Sequence, residues 1–238
     1  MRIDVLTLFP GMFDSVLGES IVKRAIKKGL LKTRVHNLRD WTSDSHRTAD
    51  DKPFGGGPGM VMKVEPVYKA LKSLRLLTGR RSGKKGDYSV RVILMCPQGK
   101  KLDQAQIKRL AGYDRLVLIC GHYEGVDERV RSFVDEDISI GDYILTCGEI
   151  PAMVVIDGVT RLLPGVLGDS RSSVSETFED DLLEYPQYTR PSEFMGMKVP
   201  YVLLSGDHKN IEDWRRDQAI ARTSKRRPDL LKRGACAR

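Results

Sequence analysis

Three times between Val90 and Leu163 the chain passes from a β-rich apolar run, through a loop carrying glycine, into a helical pattern. Val90 to Cys96 ends in Pro97-Gln98-Gly99 and is followed by helical spacing from Asp103 to Leu110. Leu116 to Cys120 ends in Gly121-His122-Tyr123-Glu124-Gly125 and leads into the helix-like Val126 to Val134. In the third unit Tyr143 to Leu145 reads as a short strand between Gly141 and Gly148, and Pro151 opens a helix reaching about Leu163. Proline suits a first helical position because its missing N–H would be unpaired there anyway. Strand–loop–helix repeated in this way predicts an α/β fold with a parallel sheet. Ligands of such sheets sit beyond the carboxyl ends of the strands, where these three loops would gather. Glycine lets backbone approach a ligand closely; each loop taken alone reads equally well as a plain βα turn.

The rest of the chain fits around this repeat. Arg2 to Phe9 reads as a strand ended by Pro10, and Met12 to Ile26 carries apolar residues at helical spacing, with Gly29 suited to follow the helix end. Leu31 to Leu38 is a second strand, and Val64 to Leu77 a helix. Between them Asp44 to Met62 (D-S-H-R-T-A-D-D-K-P-F-G-G-G-P-G-M-V-M) is too long for a mere connector. Its glycines could aim N–H groups at a phosphate, its acids with His46 could hold a cation, or it could be a mobile loop. Thr78 to Ser89 is a basic excursion expected to be flexible.

Charge separates the halves of the chain. Tyr185 to Arg238 holds twelve Lys/Arg against six Asp/Glu, while Gly165 to Glu184 holds one Arg against six acids. The whole carries +8, so a basic body and a basic tail are joined by an acidic, serine-rich strap. A polyanion such as nucleic acid is the expected partner. Pro164 to Tyr185 reads as a linker or an ordering lid. Asp207 to Asn210 can cap a helix on which Trp214, Gln218 and Ala221 share one face. Arg215, Arg222 and Arg226 form another face able to track phosphates, and Pro228 ends the run.

Other classes fall away. No G-x-G-x-x-G or G-x-x-x-x-G-K-[ST] is present, so a standard dinucleotide or P-loop nucleotide is not expected. Cys96, Cys120, Cys147 and Cys236 lie far apart without C-x-x-C spacing, which predicts reduced thiols, no disulfide and no zinc. No run has transmembrane length and Met1 to Pro10 is unlike a leader, so a cytoplasmic protein is expected, without membrane contact.

Over nearly its whole length the chain resembles the bacterial tRNA (guanine-N1)-methyltransferase family of the SPOUT class. The matching strings include L-F-P (8–10), H-R-T-A-D-D-K-P-F-G-G-G-P-G-M (46–60), P-Q-G-K-K-L-D-Q (97–104), C-G-H-Y-E-G-V-D-E-R-V (120–130) and S-I-G-D-Y-I-L (139–145). To these are added P-G-V-L-G (164–168), Y-T-R-P (188–191), V-P-Y-V-L-L-S-G (199–206) and R-R-P-D-L-L (226–231). The resemblance implies a knotted methyltransferase domain over 1–167, a flexible linker over 168–182 and a small helical tRNA-binding domain over 183–238. It also implies a homodimer with active sites at the subunit interface, S-adenosyl-L-methionine as methyl donor, and Mg²⁺ assistance. The implied acceptor is N1 of guanosine 37, immediately 3′ of the anticodon, whose methylation supports reading-frame maintenance.

The family's cofactor loops carry over to Leu94, Met95, Cys96, Pro97, Gly99, Gly121, Tyr123, Glu124, Gly125, Ile140, Gly141, Asp142, Tyr143, Ile144, Leu145, Cys147, Gly148 and Pro151. Its RNA-handling loop carries over to His46, Arg47, Asp50 and Gly59, and Arg215, Arg222 and Arg226 would hold the anticodon stem. Guanine N1 bears a proton, so a base must remove it as the nitrogen attacks, and a cation must balance the charge growing on O6. By resemblance Arg161 is that cation and the base is a carboxylate donated by the other subunit. The family has Asp at that position, whereas this chain has Glu176, which sets the carboxylate back on the order of 1.5 Å. Asp169 and Asp180 are the fallback bases. His122 stands where some relatives have Arg, and Cys147 where many have Gly. Two other readings are carried beside this one: a related methyltransferase with another base as target, and an RNA-binding protein that has lost catalysis.

Overall fold

The structure, a computed structural model, describes residues 1–77, 89–167, 177–178 and 181–231. The chain divides into two compact units, Met1–Gly168 and Asp169–Arg238.

The first unit is built on strands β1 (Arg2–Thr7), β2 (Lys32–Asn37), β5 (Val90–Lys101), β6 (Arg115–Cys120) and β7 (Glu136–Ser139), with the two-residue strands β3 (Asp50–Asp51) and β4 (Val61–Met62) paired outside the main sheet. The five-stranded sheet has the order β2-β1-β6-β5-β7, and every pairing is parallel. The expected parallel α/β fold is present.

The two-residue period of the strands sorts their side chains between two cores. Ile3, Val5, Ile93, Met95, Leu116 and Leu118 face one cluster. It is closed by helices α1 (Asp14–Gly18), α2 (Ser20–Lys27), α4 (Gln104–Ala111) and α5 (Glu149–Thr160). Leu6, Val92, Leu94, Val117 and Ile119 face the other, under α3 (Val64–Ser73). Burial on both faces explains why these runs are continuously apolar rather than alternating.

Several elements differ from their expectation. The helix read over Met12 to Ile26 is broken: Glu19 is extended at φ −133° and Ser20 has φ +51°, so α1 and α2 are separate. The apolar run Tyr143 to Leu145 is loop, not strand, and the third strand is the earlier Glu136–Ser139. Those side chains are exposed, Ile144 to 81%, so their hydrophobicity did not signal a core strand. Pro151 sits in the third position of α5 rather than the first. The helix-like Val126 to Val134 is a 3₁₀ segment, Glu128–Phe133.

The second unit holds α6 (His208–Arg226) and a hairpin of β8 (Glu193–Phe194) and β9 (Met197–Lys198). Asp207, the first residue of the stretch expected to cap the helix, caps α6 by accepting from the Asn210 N–H. Its buried face is Ala219 and Thr223; the Thr223 hydroxyl accepts from the Leu183 N–H at 2.8 Å and so ties the preceding segment to the helix.

Candidate active site

An excursion within β5 and the loops that follow β6 and β7 meet at one edge of the sheet, where they line a cavity of about 510 Å³. That lies within the usual size range of small-molecule sites. Leu94, Met95, Cys96 and Pro97 come from β5 and its excursion, Gly121, Tyr123, Glu124 and Gly125 from the loop after β6, Ile140, Gly141, Tyr143, Ile144, Leu145, Cys147 and Gly148 from the loop after β7, and Pro151 from α5.

Two carried-over residues do not line the cavity. Between Met95 and Lys100 the register of β5 on β7 slips, so that both residues pair with Ile138 and residues 96–99 form an excursion. Gly99 closes it against β7, where a Cβ would lie 2.5 Å from the Asp137 carbonyl carbon. Glycine is required there by strand packing. Asp142 points outward to an exposed ion pair with Lys101 at 3.0 Å.

The third loop is packed against the second. The Gly148 N–H donates to the Gly121 carbonyl at 2.7 Å, His122 bridges Cys147, and a Cβ on Gly148 would meet the Gly121 nitrogen at 2.6 Å. α5 therefore starts directly against the end of β6. Its first residue, Glu149, is fully buried and accepts from the Thr7 hydroxyl, which fastens α5 to the end of β1. Burial, reinforced by the nearby Glu149 and Cys147, pushes the Cys120 thiol well above its usual range. Phe9, His122 and Tyr123 pack in series, Phe9 tilted on His122 at a centroid distance of 4.7 Å and Tyr123 edge-to-face with it at 4.6 Å, with Tyr123 in the left-handed region at φ +59°.

One residue that the sequence reading passed over ties the loops together. Arg131, from the 3₁₀ segment, donates to Glu128 at 2.9 Å, to Gln98 at 3.1 Å and to the Cys96 sulfur at 3.6 Å, and pairs with Asp137. Its guanidinium joins the first loop, the stretch after the second and the strand before the third. Nothing in D-E-R-V-R-S marks this arginine from its neighbours; only the fold brings its partners together.

The glycine-rich segment lies against the same site. Met62 N–H donates to the Gly125 carbonyl at 3.0 Å and Glu124 N–H to the Met60 carbonyl at 3.1 Å. Asp50 is held in β3 opposite Met62, Arg47 pairs with Asp40, and His46 is exposed. Arg161 is the C-cap of α5 and half-buried. Glu176, Asp169 and Asp180 lie outside the described residues, as do Cys236 and most of the basic excursion at 78–88.

In the second unit, Arg215 lies over the Tyr185 ring at 4.9 Å and Arg222 donates to the Glu184 carbonyl at 3.5 Å, so this arginine face is partly covered by its own chain. Arg222 and Arg226 share a second hollow with Leu183 to Tyr185. Among the described residues no group of three or more His, Cys, Asp or Glu gathers as a metal-binding set, and none of the helices is long and apolar enough to cross a membrane.

The model of the tRNA (Guanine-1)-methyltransferase TrmD family matches residues 1–233. The chain belongs to this family. Among curated relatives, a tRNA (guanine-N(1)-)-methyltransferase of Endomicrobium trichonymphae is 53% identical over 98% of this chain and 100% of its own length. Proteins of the same name from Syntrophotalea carbinolica and Geobacillus kaustophilus are 54% and 53% identical over 99% and 97% of this chain, and over 92% and 91% of their own lengths.

A methyltransferase of the family needs S-adenosylmethionine, and the cavity suits it. Its lining combines apolar Leu94, Ile138, Ile140 and Pro151, which could contact a purine, with the carboxylates of Glu124 and Glu128, which could meet an ammonium.

Proposed function

We propose that this protein transfers a methyl group from S-adenosyl-L-methionine to N1 of guanosine 37 in tRNA, as a cytoplasmic homodimer. The observation that carries the reading is the three-loop cavity in a chain that matches the tRNA (guanine-1)-methyltransferase family over residues 1–233. The names of the relatives speak against a different target base.

When bound, S-adenosylmethionine supplies a methyl group on a positively charged sulfur. The protein's own task is proton removal and charge control. Guanine N1 becomes a nucleophile only as its proton leaves, and Glu176 is the proposed acceptor of that proton. Arg161 faces the negative charge that then builds on O6. The target base must leave its stack to reach the cavity, and the 46–59 loop would hold it, a reading supported by the hydrogen bonds that join the adjoining Met60 and Met62 to Glu124 and Gly125. Gly55, Gly56 and Gly57 all have positive φ, a backbone path that side-chain-bearing residues rarely adopt.

The dimer is supported by apolar residues that the first unit leaves exposed. Ile150 and Val154 lie one turn apart on α5, and Ile144 protrudes from the third loop. The trefoil knot of the SPOUT class belongs to the same reading, supported by the tight seating of residues 147–149 against the end of β6. Mg²⁺ has no ligand set among the described residues, and no step above uses it.

Nuclease digestion of methylated tRNA followed by mass spectrometry tests the activity. 1-Methylguanosine is the expected product; any other methylated nucleoside contradicts it.

A further inference from the structure

The second unit contains a cavity of about 410 Å³ for which the methyl-transfer reaction has no use. Its lining includes the apolar Leu203 and Ile211, the rings of Tyr185 and Tyr188, and the cations Arg190 and Arg215. Tyr188 is half exposed and packs on Trp214 at 6.4 Å, while the Arg215 guanidinium lies 4.9 Å from the Tyr185 ring centroid. Flat aromatic rings beside planar cations match the chemistry of an unstacked nucleobase, which stacks on aromatic rings and guanidinium planes.

We propose that this cavity binds one unstacked base of the tRNA, with the adjoining phosphate held by Arg190. The choice of RNA over a protein partner follows from charge: Tyr185 to Arg238 has twelve basic residues against six acidic ones, so a polyanion is drawn to this unit. The proposal rests on the tRNA reading above and adds to it a second base-binding site, built from residues of the second unit alone. Base stacking here is tolerant of base identity, whereas the arginine contact makes binding salt-dependent.

The test uses the full chain and an anticodon stem-loop carrying single 4-thiouridines at successive loop positions. After irradiation, mass spectrometry is expected to find a cross-link at Tyr185 or Tyr188 for one loop position. In parallel, Tyr188→Ala is expected to weaken stem-loop binding about tenfold, with Tyr188→Phe restoring it and S-adenosylmethionine affinity unchanged. Arg190→Ala should weaken binding and flatten its salt dependence. Cross-links confined to the first unit, or wild-type RNA affinity in both Tyr188→Ala and Arg190→Ala, overturn the proposal. So does quenching of Trp214 by a proline-rich peptide and not by the stem-loop, which would assign the cavity to a protein partner. If Tyr188→Ala does not fold, the cross-linking of the unaltered protein still decides. Methylation of tRNA by that same protein separates the outcomes: transfer without cross-links at the cavity sinks this site alone, and absence of transfer sinks the tRNA reading.

Discussion

Gly59 stands so close to Glu124 that a Cβ on it would lie 2.4 Å from the Cγ of that side chain. The backbone around the pair is locked as well, by hydrogen bonds from Glu124 to Met60 and from Met62 to Gly125. The glycine-rich loop and the loop after β6 are therefore tied together. Gly59 has φ +80°, so alanine there would be strained in addition to displacing Glu124. Gly59→Ala is expected to lower kcat/KM for both S-adenosylmethionine and tRNA by about tenfold or more. Steady-state kinetics at wild-type levels would show that the two loops are independent.

Arg131 binds no reacting group in this account, yet it holds the cavity walls in register through Cys96, Gln98, Glu128 and Asp137. Arg131→Met should raise KM for S-adenosylmethionine about tenfold, the equivalent of one charge-assisted hydrogen bond, and leave kcat at saturation nearly unchanged. Arg131→Lys, which keeps the charge but not the fork, should fall between. A loss of kcat with unaltered KM would contradict a positioning role.

Asp4 gives the fold a pH dependence. Burial pushes its carboxyl up, but hydrogen bonds from His36 and Arg2 and the charges of Arg115 and Arg2 outweigh this and hold it far below the usual range. A depressed carboxyl stabilises the fold fully above its unfolded value, about 3.9, and the contribution is lost as pH falls below that. Asp4→Asn strands Arg115, whose Nε is 2.8 Å away, and should cost about 3–5 kcal/mol at pH 7. In urea unfolding, the gap between wild type and variant should narrow at pH 3. A gap independent of pH would contradict the ion-pair origin.

The proposed division of labour between subunits allows complementation. Glu176→Gln should lose about 10²- to 10⁴-fold in kcat and Arg161→Ala about 10²- to 10³-fold. If the base and the cation of one site come from different subunits, mixed dimers of the two variants regain up to half of one site pair's activity, whereas each variant alone stays inactive. Should Glu176→Gln transfer methyl normally while Asp169→Asn does not, the base is Asp169.

Much of the parallel sheet was legible because strands buried on both faces leave continuous apolar runs, as at Leu116 to Cys120. The third unit misled for the opposite reason: Tyr143 to Leu145 is apolar but exposed, which sequence alone cannot tell from core. Glycines were legible as necessary but not as to purpose. Gly99 answers to the backbone of β7, Gly148 to that of β6 and Gly59 to a side chain of the second loop. Arg131 and the Glu149–Thr7 contact join residues far apart in the chain, and no local spacing encodes them.

The first experiment is methyl transfer from labelled S-adenosylmethionine to two tRNA transcripts that differ only at position 37. Transfer to the guanosine-37 transcript and none to the adenosine-37 transcript is the expected result. It would also show that glutamate at 176 supports the chemistry. Equal labelling of both transcripts, or binding of cofactor and tRNA without any transfer, would contradict the proposed activity.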